Sequence, residues 1–147
     1  MQKKSEKTKQ PQTNPMKNEW KWDKWQQGVL DTVGNVTLRS GRQVGKSEVI
    51  STKASNFALD NPNTTTLIIA ASQRQSSLLF EKVRSNLDRI NDQRKDASIY
   101  KEKPTLTRIL LKNGSRIYSL PAGRTGYFIR GFTIDMLIAD EAALCMT

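Results

Sequence analysis

Apolar residues recur at helical spacing in three stretches of this chain and run together, strand-like, in two others. In "EWKWDKWQQGVLDTVG", Trp22, Trp25, Val29 and Val33 share one helical face, and Gly34 is placed to stop the helix. "NVTLR" (35–39) reads as a short strand and residues 40–45 as a loop. From Lys46 onward Ile50, Ala54, Phe57 and Ala58 line a second helix, which "DNPN" ends. "TTTLIIAA" is β-branched and then continuously apolar, as in a strand buried on both faces. Ser72 and Gln75 have the spacing of a capping box for a third helix striped by Leu79, Val83, Leu87 and Ile90. "TRILLKNGSRIYSL" predicts a hairpin turning at Asn113-Gly114. A Gly-rich connection, "PAGRTGYFIRGF", leads to "TIDMLIADEAA", a second buried strand ending in two acids. Alternation of this kind predicts an α/β fold with a largely parallel sheet.

Composition narrows the chemistry. The chain has 147 residues, 36% hydrophobic and 26% charged, which suits one soluble domain with a core. Its apolar runs are too short to span a bilayer, and no secretory signal is visible. Cys145 is the lone cysteine, so an internal disulfide is impossible, and a reducing interior is the simplest setting. The absence of histidine excludes Ser-His-Asp triads and HExxH zinc sites. Catalysis would fall to carboxylates, Lys, Arg, hydroxyls and bound metal. The net charge of +10 suggests a polyanionic partner such as nucleic acid, a solvated basic surface being the bland alternative. Residues 1–18 carry Lys without periodic hydrophobes and read as a disordered basic arm, set apart from a domain over 19–147.

"SGRQVGKS" nearly matches the phosphate-loop pattern G-x-x-x-x-G-K-[ST], with Ser40 at the first glycine position and Gly41 one place later. The physical essentials remain. Backbone N–H groups of Gly41, Arg42, Gln43, Val44 and Gly45 can converge on phosphate at a helix start. Lys46 can reach the β- and γ-phosphates, and Ser47 can offer its hydroxyl to Mg²⁺. Downstream, Asp140 ends an apolar strand, where its carboxylate can meet the same Mg²⁺ through water, and Glu141 follows as a candidate general base. A Gly-Lys-Ser triplet or an apolar strand ending in "DE" is weak alone. Two parts of one mechanism in the right order point to a nucleotide hydrolase.

The loop and the acids together resemble the large subunit of viral terminases, the DNA-packaging motors of tailed phages. "SGRQVGKS" looks like that family's variant Walker A, "MLIADEAA" is similar to its Walker B, and "WDKWQQGVL" resembles the segment in which a Gln recognises adenine. Gln26 is the match and Gln27 the near alternative. The resemblance covers roughly residues 19–147. It implies a P-loop NTPase fold of the additional-strand, RecA-like kind, a three-layer sandwich, with ATP and Mg²⁺ as cofactors. It gives Arg42 a γ-phosphate-sensing role, with a loop-bracing ion pair as the other reading. Arg130 lies where a neighbour-reaching arginine finger is proposed, with bracing or DNA contact as alternatives. Trp20, Trp22 and Trp25 could stack on a base or pack the core.

The resemblance further implies double-stranded viral DNA, a portal protein and a small terminase subunit as partners, and a homo-oligomeric ring without membrane attachment. The setting would be the cytoplasm of the infected host cell, transiently at the procapsid portal. In that class the strand after Walker B inserts between the Walker A and Walker B strands. Here the sequence stops six residues after Glu141, and no nuclease-like acid cluster is present. The chain therefore reads as an N-terminal fragment or a truncated gene product, with a sheet incomplete at its C-terminus, that binds ATP weakly at best and hydrolyses little by itself. Two other readings stand beside this one: a superfamily 2 helicase-like translocase, and a non-catalytic basic DNA-binding fragment.

Overall fold

The computed structural model describes residues 22–39, 45–121, 130 and 133–140. The basic arm and Trp20 lie outside them. Three helices, α1 (Lys24–Asp31), α2 (Lys46–Asp60) and α3 (Gln73–Gln93), accompany four strands, β1 (Thr65–Ala70), β2 (Arg108–Leu110), β3 (Arg116–Pro121) and β4 (Met136–Asp140). The sheet order is β2-β3-β1-β4. β1 runs parallel to both β3 and β4, and β2 pairs antiparallel with β3. This is the mixed α/β, mostly parallel architecture predicted above.

The described residues build the sheet and one helical layer. Ile68, Ile117 and Ile138 share a sheet face and meet Ala54 and Ala58 of α2 and Leu79, Phe80, Val83 and Leu87 of α3 in one core. Each large apolar side chain buried there contributes about 1.5–3 kcal/mol. The α2 surface against α3 is made of small residues, Ser51, Ala54, Ser55 and Ala58, all buried, which lets the two backbones approach closely. Their hydroxyls are satisfied within the interface: Ser55 Oγ donates to the Ser51 carbonyl (2.8 Å) and Asn86 Nδ2 donates to Ser51 Oγ (3.3 Å). The predicted face of α2 was therefore rotated slightly. Ala54 and Ala58 are buried, but Ile50 and Phe57 are only half-buried, because polar serines take part of the contact.

Two local signals form as expected. Of the capping box expected at α3, the Ser72 half forms: its side chain accepts the Gln75 N–H (3.3 Å). Gly114 adopts φ 88 in the hairpin turn. That turn has a second duty: Asn113 Nδ2 donates to the Ala58 carbonyl (2.8 Å), and Ser115 Oγ donates to the Asn61 carbonyl (2.8 Å). The hairpin thus satisfies carbonyls that the end of α2 leaves open. At the far end of α3, the Tyr100 hydroxyl donates to Asp88, and burial together with that carboxylate raises the phenol above its ordinary range.

Three expectations need correction. Residues 35–39 form no strand: they carry no regular secondary structure, Val36 is 39% exposed, and no described segment pairs with them. α1 stops at Asp31 rather than Gly34, and Val33, outside the helix, is 97% exposed. β4 is buried on one face only. It ends the described sheet, and Leu137, on the side away from α2 and α3, is 54% exposed. Among the described residues no helix is long and apolar enough to cross a membrane.

A side chain at position 114 would be strained by its backbone and would place a Cβ 2.0 Å from Asn63 Oδ1. Gly114→Ala should destabilise the chain by about 1–3 kcal/mol. Urea unfolding followed by circular dichroism checks this, and an unchanged midpoint contradicts it.

Candidate functional site

The site is built where the C-terminal end of β4 meets the N-terminus of α2. Parallel pairing sets Ala70 opposite Asp140, and alternation along β4 places Asp140 on the same face as Met136 and Ile138, toward the helices. On the other side of the junction, Gly45 takes a left-handed conformation (φ 77, ψ 20) and starts α2, with its carbonyl accepting the Val49 N–H (3.2 Å). The first-turn N–H groups of a helix lack intrahelical partners and favour anions. Lys46 Nζ comes to 3.7 Å from Asp140 Oδ1. The side chains are 30% and 18% exposed, so the pair is partly screened and worth at most about 1 kcal/mol to folding.

Beside this pair lies a cleft of about 510 Å³, lined by Ser47 and Asp140 and by Gln75, Leu79, Glu81, Lys82 and Ser85 of α3. Its size is within the usual range for a small-molecule site, about 300–1,000 Å³. Lys82 also binds Glu48 of α2 across the cleft wall, Nζ to Oε1 at 2.6 Å. The donor set suits Mg²⁺: Ser47 and Asp140 offer hard oxygen atoms in one cleft. No group of three or more His, Cys, Asp or Glu side chains that could hold a metal occurs among the described residues. One or two carboxylates with a hydroxyl, the remaining positions going to water and phosphate, are the habit of Mg²⁺ rather than of zinc or calcium.

α1 is fastened to α2 at both ends, at the junction by Gln26 and further along α2 by Lys53. Gln26, 4% exposed, accepts the Asp23 N–H with Oε1 (2.9 Å), the returning half of a capping box, and donates from Nε2 to the Gly45 carbonyl (3.2 Å). At the other end Lys53 Nζ donates to the carbonyls of Val29 (2.8 Å) and Thr32 (2.7 Å), a cation at a helix C-terminus.

Of the sequence-predicted residues, the structure brings Gly45, Lys46, Ser47 and Asp140 together and sets Gln26 against Gly45. Arg130 is exposed in a turn. Gly41, Arg42, Gln43, Val44 and Glu141 lie outside the described residues. Trp22 and Trp25 are half-buried beside α1's start and on it. Sequence reasoning missed Lys53 and Lys82. Both act between helices, through partners 21 to 34 positions away, and no local pattern marks such contacts.

Comparison with known proteins bears on this geometry. The family described as terminase large subunit, T4likevirus-type, N-terminal, matches residues 38–146. Among solved structures, the chain is similar to the large terminase ATPase domain of Thermus phage P74-26, with 23% identity and a TM-score of 0.54 over 80% of this chain and 57% of that one. A point-mutant form of the same domain gives 26% identity and a TM-score of 0.53 over 70% of this chain and 46% of that one. The chain thus spans about half the length of these domains. No curated protein matches it. Of the three readings drawn from the sequence, the match falls on the first.

If the Lys46–Asp140 approach exists to hold a ligand rather than the fold, Asp140→Asn should change unfolding free energy by less than about 1 kcal/mol, as for other partly exposed pairs. Urea titration measures it. A loss of several kcal/mol would instead mark the pair as a structural anchor.

Proposed function

Since the chain belongs to the family of terminase large-subunit N-terminal regions, T4-like-virus type, we propose that it forms part of the ATP-hydrolysing motor that drives double-stranded viral DNA into procapsids. The observation that supports this best is the 3.7 Å approach of Lys46 to Asp140, at the junction of a helix N-terminus and a strand end.

In this reading the α2 N-terminus and the backbone N–H groups of residues 41–45 hold the triphosphate, and Lys46 neutralises the β- and γ-phosphate oxygens as charge moves during transfer. Ser47 and Asp140 hold Mg²⁺, directly or through water. Held by these two residues, Mg²⁺ would supply charge compensation for the phosphate oxygens. Glu141, next after Asp140, takes the proton of the attacking water. Arg42 senses the γ-phosphate within the subunit, and Arg130, exposed in its turn, reaches toward a neighbouring subunit. The partners are double-stranded DNA, to which a net charge of +10 is complementary, the portal and the small terminase subunit, in a ring of copies in the host cytoplasm.

The test is equilibrium binding of a fluorescent ATP analogue with Mg²⁺. The wild-type chain should bind and be displaced by ATP. Lys46→Ala should weaken binding at least about 30-fold, the equivalent of losing one charge-assisted contact of about 2 kcal/mol. Equal affinity in both chains, or none in the wild type, would overturn the reading. Salt-sensitive DNA binding indifferent to ATP and to Lys46→Ala would favour a non-catalytic binding fragment.

A further inference from the structure

Two lysines at this cleft each face a carboxylate. Lys46 Nζ stands 3.7 Å from Asp140 Oδ1, and Lys82 Nζ stands 2.6 Å from Glu48 Oε1. The second pair has no part in the mechanism above. Glu48 follows Ser47 in the first turn of α2, and Lys82 reaches it from α3, 34 positions along the chain. Gln75, Leu79 and Lys82 recur at spacings of four and three, so they share one face of α3, and that face lines the cleft with Ser47 and Asp140. Leu79 is buried in the core and fixes the rotation of α3. Helix packing therefore delivers Lys82 to the cleft, as strand register delivers Asp140. Among the described residues that line the cleft, Glu81 and Asp140 are acids and Lys82 is the one base. A polyanion entering there finds its counter-charge in Lys82.

We propose that Lys82 is a second phosphate-binding cation of the cleft, held by Glu48 until a triphosphate enters: the ammonium then leaves the carboxylate for phosphate oxygens. The proposal rests on the reading of the Lys46 turn as a phosphate site. The exchange is favourable on physical grounds. The two side chains are 42% and 41% exposed, so water screens the pair and breaking it costs the fold little. A triphosphate presents several negative charges where Glu48 presents one, and the new contact is charge-assisted like the old. Lysine suits such a move, because its ammonium is a point charge on a flexible four-carbon stem with no fork geometry to satisfy. Glu48 thus competes with the ligand for the cation, and the two members of the pair act in opposite directions on binding. A pair that only tied α2 to α3 would show no such opposition, since removing either partner breaks the same bond.

The test is a double-mutant cycle on the whole chain, with Lys82→Met, Glu48→Gln and the two combined. The probe is inorganic tripolyphosphate with Mg²⁺, titrated by calorimetry, so that no base takes part. Lys82→Met should weaken binding about tenfold, and Glu48→Gln should strengthen it about threefold. The double variant should bind within about twofold of Lys82→Met, because with no ammonium to release, loss of the carboxylate gains little. Thermal midpoints should stay near that of the wild type in all three. Weaker binding in both single variants, or no change in either, would make the pair an interhelical tie and overturn the proposal. So would a gain from Glu48→Gln that is equal with and without Lys82, which would show the carboxylate acting through its field alone. Binding lost in Lys46→Ala but unchanged in Lys82→Met would keep the phosphate site and remove Lys82 from it. Binding to neither the wild type nor Glu48→Gln would sink the phosphate-site reading itself, and this proposal with it.

Discussion

The register between β1 and β4 is the constraint on which the site depends. Ala70 lies opposite Asp140, and Ile68 opposite Ile138, so the apolar side of β4 faces the helical layer and the terminal carboxylate points the same way. Side chains alternate strictly along a strand, so a slip of one residue would turn Asp140 away from α2 and expose Ile138 in its place. The hydrophobic core thus fixes a polar group's direction. Burial of Ile138 against α2 and α3 holds the register, and the register delivers a carboxylate to the start of α2. The small-residue face of α2 has a matching role, since Ser51, Ala54, Ser55 and Ala58 set how closely α2 lies on α3 and so where Lys46 begins.

Much of this was legible in the sequence because it is written locally. The α3 stripe, the continuous apolar run of β1, the Ser72 cap and the Asn113-Gly114 turn each rest on neighbours a few residues apart, and each formed. The residues that the phosphate pattern and the acid-ended strand singled out, Lys46, Ser47 and Asp140, meet at one cleft. What was not legible depends on partners elsewhere in the chain. The short apolar-alternating segment at 35–39 has strand propensity, but propensity does not make a strand without a neighbour to pair with. The apolar residues of β4 suggested burial on both faces, yet only a sheet's interior position provides that, and β4 sits at the described edge. The roles of Lys53 on α1's carbonyls and of Asn113 on the end of α2 require knowing which elements touch.

A consistent division of labour emerges. Apolar burial decides where the elements lie, and a small number of polar ties between elements decide the finer geometry at the site. Lys82 joins Glu48 across the cleft wall, Gln26 joins Gly45, and Lys53 joins the end of α1. None of these ties is worth much to global stability, about 1–3 kcal/mol each. Their importance lies in orientation. Under the proposed function this matters, because phosphoryl transfer asks little covalent chemistry of a protein and a great deal of placement.

The central claim, that the Lys46 turn and the tip of β4 enclose one metal–triphosphate site, is tested most directly by paramagnetic broadening in amide NMR spectra of the chain. Mn²⁺ would replace Mg²⁺ in the presence of ATP. The account predicts that the amide signals of Ser47 and Asp140 broaden together, ahead of those in the hairpin turn at Asn113. Broadening centred elsewhere, or reaching one of the two residues without the other, would contradict it.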